Sequence, residues 1–206
     1  MNKKILILAV GIALAGILFY TFKGTSPITE GYVEKIETAR AETNDFLKNA
    51  EDSPLTDSQK AAFTTLNYFP IAEKYRVKSD FQLSQRQQII QMGISDGSQK
   101  AYLVFGHAHL HLEGKELNLT VYKPLQDDAD YLFIPFYDHT SAELTYGGGR
   151  YVEPELADDG ALIIDFNLAY NPYCAYNPSY KCPIPPPENR LDVSVLAGEK
   201  NPDFVK

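Results

Sequence analysis

The longest apolar stretch of the chain covers residues 5–22 and contains no charged side chain. A helix of this length rises about 1.5 Å per residue and would be about 27 Å long, close to the thickness of a hydrocarbon core. Lys3 and Lys4 precede the stretch, and Lys23 follows it. This excess of positive charge on one side predicts a single-pass anchor with the N-terminus in the cytoplasm.

Signal-peptide cleavage is the alternative to an uncleaved anchor, because Ala13-Leu14-Ala15 has the small-x-small pattern of a cleavage site. Cleavage there would leave an apolar new terminus, which favours the anchor. Both interpretations predict export. We expect residues 1–24 to be a signal-anchor in the cytoplasmic membrane, and residues 25–206 to form one globular domain on the periplasmic or extracellular side.

Helical periodicity follows the apolar stretch. Residues 27–50 place their apolar side chains roughly on one stripe, with Glu and Lys elsewhere, as in an amphipathic helix. Ser53-Pro54 interrupts this pattern. A second, shorter helix is predicted over residues 57–66, with Thr56 or Asp57 as its N-cap.

After Asn67 apolar and polar residues alternate, which is the pattern of β-strands. Glycine turns at positions 96–97 and 113–115 indicate hairpins, and Pro135 places its strand at an edge or at its own end. The predicted strands cover residues 75–83, 88–94, 101–112, 116–122, 131–137, 161–166 and 191–196. We expect an α+β fold with β dominant: an antiparallel sandwich or barrel-like sheet with N-terminal helices, preceded by a single transmembrane helix.

Charge narrows the possible partners. The chain has a formal net charge of −8, and residues 1–24 hold three lysines and no acidic residue, so the predicted domain carries −11. Such a surface repels a phosphate backbone, and we therefore expect no nucleic-acid partner.

Three histidines at positions 107, 109 and 111 alternate with apolar residues in a predicted strand. Neighbouring histidines on one face could hold a metal ion, completed by Asp138 or His139. Four residues of strand span about 13 Å, so His107 and His111 cannot share one ion. A solvent-facing polar row opposite an apolar core face explains the pattern without a metal, and we expect no metal site.

A glycine run at positions 147–149 precedes Arg150. Its backbone N–H groups could cradle an anion, and Arg150 could clamp a carboxylate or phosphate through two hydrogen bonds. The alternative is a hairpin tip or bulge in which Arg150 pairs with Asp165 or Glu199. The run lacks the Gly-Lys-Ser/Thr ending of a P-loop, so nucleotide binding is not supported.

Residues 165–189 are rich in Asn, Pro and Tyr and contain the two cysteines of the chain, Cys174 and Cys182. Asn side chains bond to the local backbone and prolines reduce loop entropy, so we expect a rigid loop. In an oxidising compartment the two cysteines would form a disulfide. A metal-binding cysteine pair, or a catalytic thiol activated by His139, are the alternatives.

Several short motifs occur together in the second half of the chain. They are Asp138-x-Thr140, Tyr146-x-x-Gly149-Arg150-Tyr151, Asp165-Phe166-Asn167, Asn171-Pro172-x-Cys174, Cys182-Pro183, Asn189-x-Leu191 and Ala197-Gly198-Glu199-Lys200. With these motifs the chain resembles the bacterial and archaeal domain-of-unknown-function family 1684 over about residues 35–200. The resemblance implies no established activity. The histidine row at positions 107, 109 and 111 is not part of the family pattern. Some members lack an export signal, so the resemblance does not decide between a structural disulfide and free thiols.

The motif residues define the candidate site. We expect a non-catalytic envelope module with no cofactor. It should bind a small polar ligand or an envelope protein under the loop at residues 165–189, called here the Pro-rich loop. The candidate ligand-binding residues are Arg150, Asp165, Asn167, Asn171, Asn189 and Glu199, together with Asp138 and Tyr146. The alternatives are a hydrolase that uses Asp165 or Glu199 as acid/base with Arg150 as anion clamp, a metal-binding domain, or polar residues that only brace the loops.

Overall fold

The computed structural model describes residues 30–125 and 131–203. The predicted anchor at residues 5–22 lies outside these described residues. A search of the described ranges finds no helix that combines the length and the apolar character needed to cross a membrane.

Two α-helices open the described part of the chain, α1 (Glu30–Asn49) and α2 (Asp57–Ala62). Thr56 begins α2 with a capping box: its side chain accepts the N–H of Gln59, and the Gln59 side chain accepts the N–H of Thr56 at 2.8 Å. The helix ends earlier than the predicted residue 66. Phe63 is already extended, and its ring is buried in the core.

Within the described ranges, seven β-strands form two antiparallel sheets. They are β1 (Arg76–Gly93), β2 (Gln99–Leu112), β3 (Lys115–Pro124), β4 (Ile134–Phe136), β5 (Arg150–Val152), β6 (Glu155–Leu156) and β7 (Leu162–Asp165). The larger sheet has the order β3-β2-β1-β7-β6, and β4 pairs with β5. Short 3₁₀ helices lie in the connecting segments, at Glu73–Tyr75, Phe166–Leu168, Tyr173–Ala175 and Pro187–Asn189.

Strand β1 joins the two halves of the larger sheet. Its first residues pair with β7, and from Asp80 onward it pairs with β2. The strands predicted at residues 75–83 and 88–94 are therefore one strand, interrupted by an irregularity between Leu83 and Gln88. A bulge of this kind leaves extra residues unpaired and shifts the alternation of side chains, which explains why the pattern suggested two strands.

The two sheets enclose a common core. Isolated bridges Tyr122↔Phe133 and Tyr151↔Tyr170 connect the small sheet to β3 on one side and to the segment after β7 on the other. Buried side chains from β2, β3, β4, β5 and β7 pack in one cluster. The prediction of a β-dominant α+β fold with antiparallel pairing and N-terminal helices is confirmed.

The predicted strand at residues 191–196 is wrong. This segment is extended and alternates between buried and exposed side chains, with Val193 and Val195 in the core. However, it belongs to neither sheet, and the Val195 carbonyl accepts a hydrogen bond from the side chain of Arg150.

Strands β5 and β6 have three and two residues, too few to show an alternating pattern in the sequence.

Candidate functional site

Most polar candidates from the sequence lie in the interior. Twelve polar or charged residues are buried in the described part of the chain: Ser53, Ser79, Thr120, Asp138, Thr140, Thr145, Arg150, Asp165, Asn167, Asn171, Asn189 and Glu199. Seven of the eight candidate ligand-binding residues are among them, and Tyr146 is half-buried. Burial of a polar group costs free energy unless it is hydrogen-bonded, so the partners of these residues decide their roles.

Arg150 is a structural cation. Its side chain is 1% exposed and donates to the carbonyl of Val195 at 2.9 Å, of Glu199 at 3.2 Å, and of Ala197. The guanidinium also lies 3.5 Å from the carboxylate of Asp138. The alternative pairing with Asp165 or with the Glu199 side chain is therefore wrong. Because its hydrogen bonds go to the protein backbone, Arg150 does not face a ligand as an anion clamp.

Asp138 completes this buried pair. Its carboxylate accepts the hydroxyl of Thr140 at 2.8 Å and the N–H of Val195 at 2.7 Å. Thr140 in turn contacts the hydroxyl of Thr145 at 2.9 Å. These bonds fix the turn that leads into the glycine run, and Gly149 has a φ of +84° just before β5. The glycine run thus serves a turn that only glycine adopts without strain.

Asp165 and Asn167 attach α1 to the sheet. The hydroxyl of Tyr32 donates to both carboxylate oxygens of Asp165, at 2.8 and 2.9 Å. Asn167 accepts the N–H of Ala72 at 3.0 Å and donates to the Ala72 carbonyl at 2.9 Å. Asn189 attaches β3 to β4. Its side chain forms hydrogen bonds with both backbone groups of Thr120 and with the Pro135 carbonyl.

Glu199 is buried without a cation against its carboxylate in the described structure. It accepts the hydroxyl of Tyr176 at 2.5 Å and the N–H of Asn171 at 2.9 Å. Burial raises the pKa of Glu199 to about 7, and the hydrogen bonds from Tyr176 and Asn171 only partly oppose this shift. Glu199 therefore titrates in the physiological range.

A cavity of about 660 Å³ lies between α1, β2 and the Pro-rich loop. Its walls contain ten aromatic residues: Phe46, Tyr68, Tyr102, Tyr131, Phe133, Tyr151, Tyr170, Tyr173, Tyr176 and Tyr180. Three candidates from the sequence, Asn167, Asn171 and Glu199, also line it. Arg150, Asp165, Asn189, Asp138 and Tyr146 are not among its lining residues.

Two buried polar atoms of the cavity lining lack a hydrogen-bond partner, Arg40 Nε and Asn171 Oδ1. Arg40 extends from α1, donates through Nη2 to the Asn167 carbonyl at 3.3 Å, and places its guanidinium 4.3 Å from the ring centre of Tyr68. The sequence did not indicate Arg40 or the aromatic walls as site residues. The concentration of tyrosines at residues 170–180 was the signal that could have indicated the walls.

His107, His109 and His111 lie on the exposed face of β2, opposite the buried residues of the same strand. His107 contacts Thr120 at 3.3 Å, His109 contacts Asn118, and His139 contacts Asp192 at 2.9 Å. Asp138 is committed to the buried pair with Arg150. In the ranges that the structure describes, His, Cys, Asp and Glu form no group of three able to hold a metal ion.

The predicted disulfide is not present. Cys174 and Cys182 are both free thiols, although they are neighbours: the N–H of Cys174 donates to the sulfur of Cys182 at 3.1 Å. Tyr146 lies on the other side, with its hydroxyl 3.7 Å from the sulfur of Cys174. His139 contacts Asp192 rather than either thiol, so the structure does not place it as a base for a catalytic cysteine.

Fold and site together define a β-dominant α+β domain with a buried Arg–Asp pair and a tyrosine-lined cavity. The chain belongs to the family DUF1684, described as "Protein of unknown function", whose profile matches residues 61–200. This confirms the resemblance seen in the sequence.

Among the solved structures that are similar to this chain, one matches over most of its length. It is the solution NMR structure of the uncharacterised protein from gene locus rrnAC0354 of Haloarcula marismortui, with 31% sequence identity and a TM-score of 0.66. The match covers 83% of this chain and 95% of that chain. No curated protein matches the sequence. The comparisons thus give a family and a fold, and neither name carries an activity.

Replacing Asp138 by Asn should lower the free energy of unfolding by about 3–5 kcal/mol, because it leaves the buried Arg150 charge without its counter-ion. Urea denaturation of the two proteins measures this difference. Asp159→Asn is the matched control, because Asp159 pairs with Lys78 on the surface, where solvent screens the pair and its loss should change stability little. Equal losses in the two variants would contradict the structural role of the buried pair.

Replacing Glu199 by Gln should remove a pH dependence of stability. The folded pKa of about 7 exceeds the ordinary value of 4.5, so the folded state binds more protons between these pH values. Stability contributed by Glu199 is therefore complete below pH 4.5 and is lost as pH rises through 7, by about 3 kcal/mol in total. Urea denaturation at pH 5 and pH 8 should show this loss for the wild type and for the exposed control Glu116→Gln. Parallel pH profiles for wild type and Glu199→Gln would show that the carboxyl is not perturbed.

Proposed function

We propose that this chain is a non-catalytic binding module that holds a small polar ligand with a flat ring in the tyrosine-lined cavity. The observation that supports it is the pair of unpartnered buried atoms, Arg40 Nε and Asn171 Oδ1, in residues that line the same cavity. A buried donor or acceptor without a partner costs about 1–3 kcal/mol. A ligand that presents one acceptor and one donor would recover this free energy.

The size and walls of the cavity support the same class of ligand. Its volume of about 660 Å³ falls within the range of sites for small molecules, about 300–1,000 Å³. The aromatic rings offer faces and edges for stacking against a planar group. Tyr170 and Tyr176 already donate to the carboxylates of Glu153 and Glu199, so their rings are held in place before a ligand enters. Such pre-organisation reduces the entropy lost on binding.

Binding is favoured over hydrolysis because the three proposed catalytic groups do not share a cleft. Glu199 lines the cavity, whereas the Asp165 carboxylate bonds to Tyr32 and Asn167, and Arg150 is enclosed among backbone carbonyls. A hydrolase of the kind considered from the sequence needs its acid, base and anion clamp around one substrate. The protein-partner alternative has no comparable support in the described surface.

The cavity proposal is tested by native mass spectrometry of the full-length protein in detergent micelles, followed by titration with a defined panel of nucleobases, aromatic amino acids and monosaccharides. The wild type should retain at least one compound. Ala39→Phe should reduce its affinity tenfold or more, because Ala39 lines the cavity and a phenyl ring there occupies its volume. Thr38→Phe is the matched control, since Thr38 is exposed on the same helix.

Two outcomes would contradict the cavity proposal. One is equal affinity of wild type and Ala39→Phe for the retained compound, which would place the site elsewhere. The other is that no compound of the panel binds and no co-purified mass is released on denaturation. Arg40→Met refines a positive result: it keeps the apolar stem but removes the Nε donor, so only compounds that use that donor should lose affinity.

We also propose that residues 5–22 tether this module to the cytoplasmic membrane, with the domain on the exported side. The support is the uncharged apolar length and the lysines that precede it. Full-length protein should stay with the membrane fraction after alkaline carbonate extraction, and a chain without residues 1–24 should not. A C-terminal alkaline phosphatase fusion should be active, because this enzyme folds outside the cytoplasm. Full-length protein in the soluble fraction, or an inactive fusion, would contradict the tether.

A further inference from the structure

The two cysteines are held side by side by backbone contacts. The N–H of Cys174 donates to the sulfur of Cys182 at 3.1 Å. Tyr146 approaches Cys174 from the other side, with its hydroxyl 3.7 Å from that sulfur. The backbone of one cysteine therefore contacts the side chain of the other.

The segment between the cysteines is fixed at several points. Cys182 donates its N–H to the Ser95 hydroxyl at 3.0 Å and accepts the Ser95 N–H at 2.9 Å. Asn177, halfway between the cysteines, donates to the Pro54 carbonyl at 3.0 Å and accepts the N–H of Ser179 at 3.0 Å. The loop that carries both cysteines is therefore held in place in the thiol form.

The two thiols are not equivalent. Cys174 is partly exposed, whereas Cys182 is 7% exposed. The hydrogen bond from Cys182 lowers the pKa of Cys174 to about 7, and the Tyr146 hydroxyl acts in the same direction. The same contact, together with burial, raises the pKa of Cys182. The partly exposed Cys174 sulfur, which has thiolate character, is suited to be the nucleophile. The buried and protonated Cys182 is suited to be the resolving thiol.

We propose that Cys174 and Cys182 are a redox-active dithiol, in which Cys174 attacks small-molecule disulfides and Cys182 resolves the mixed disulfide. This inference is independent of the proposed ligand cavity. In the first step the Cys174 thiolate attacks one sulfur of R–S–S–R, forms Cys174–S–S–R and releases one RS⁻. In the second step the Cys182 sulfur attacks the Cys174 sulfur, and its proton goes to the departing thiol. Two electrons pass from the two cysteines to R–S–S–R, which leaves as one RS⁻ and one RSH.

The proposal explains features of the loop that a permanent disulfide would not require. A structural cross-link needs neither an exposed partner nor a hydroxyl beside it. Here the Tyr146 hydroxyl stabilises a thiolate on Cys174, the more exposed of the two cysteines. Cys182 also lines the tyrosine-lined cavity, so oxidation changes one wall of that cavity.

The test uses the full-length protein in detergent micelles, reduced and then equilibrated with oxidised and reduced glutathione at graded ratios. The mass of the denatured wild type should fall by two protons without a stable glutathione adduct. Cys182→Ser should retain one adduct at Cys174, and Cys174→Ser should form less than a tenth as much. The wild-type result alone tests the pairing if either variant folds poorly.

The rate of alkylation by iodoacetamide at pH 6 gives a second readout. A thiol of pKa about 7 has about 30-fold more thiolate at pH 6 than an ordinary thiol, and about fivefold lower nucleophilicity per thiolate. Cys174 should therefore react about fivefold faster than free glutathione, and Tyr146→Phe should reduce this advantage. Wild-type protein that stays reduced at every glutathione ratio, or that accumulates adducts on both cysteines, would overturn the proposal. So would equal adduct formation in the two serine variants.

Discussion

The fold depends on one buried cation. Arg150 lies in the interior, and its charge is tolerated only because Asp138 and three backbone carbonyls surround it. Removal of a charge from water costs several kcal/mol unless its new partners have good geometry. Those partners come from a turn and from the C-terminal segment, which share no β-ladder with the larger sheet. A lysine could not replace Arg150, because a single ammonium group does not reach several carbonyls in one plane as a guanidinium does.

Sequence patterns predicted the elements that depend on residues close together in the chain. The hairpins around β1, β2 and β3 follow from alternation and glycine turns, and α2 follows from its capping box. Elements that depend on distant side chains were not predictable in this way. The segment at residues 191–196 alternates like a strand, yet it is not part of either sheet and one of its carbonyls binds the Arg150 side chain. Alternation indicates which residues are buried but not what their backbone bonds to.

The candidate site was likewise predictable only where it depends on local sequence motifs. Sequence motifs selected polar residues that are almost all buried, but most of them satisfy backbone groups of neighbouring segments, as Asn189 does between β3 and β4. Only Asn167, Asn171 and Glu199 also line the cavity. The cavity brings together α1, β2 and the Pro-rich loop, which are far apart in the chain. Arg40 lies on the helical stripe between apolar neighbours, and no local pattern separates such an arginine from a solvated one.

The position of the Arg150 partners in the chain has a consequence for biosynthesis. The carbonyls of Val195, Ala197 and Glu199 follow every helix and strand of the described structure along the chain, so they leave the ribosome after those elements. Until then the Arg150 guanidinium lacks most of its partners, and the turn at Asp138 has no N–H from Val195. Domains usually begin to fold as their N-terminal parts emerge. Here the buried Arg150–Asp138 pair gains its full set of partners only after residues 195–199 have been synthesised, so the interior around Arg150 forms late.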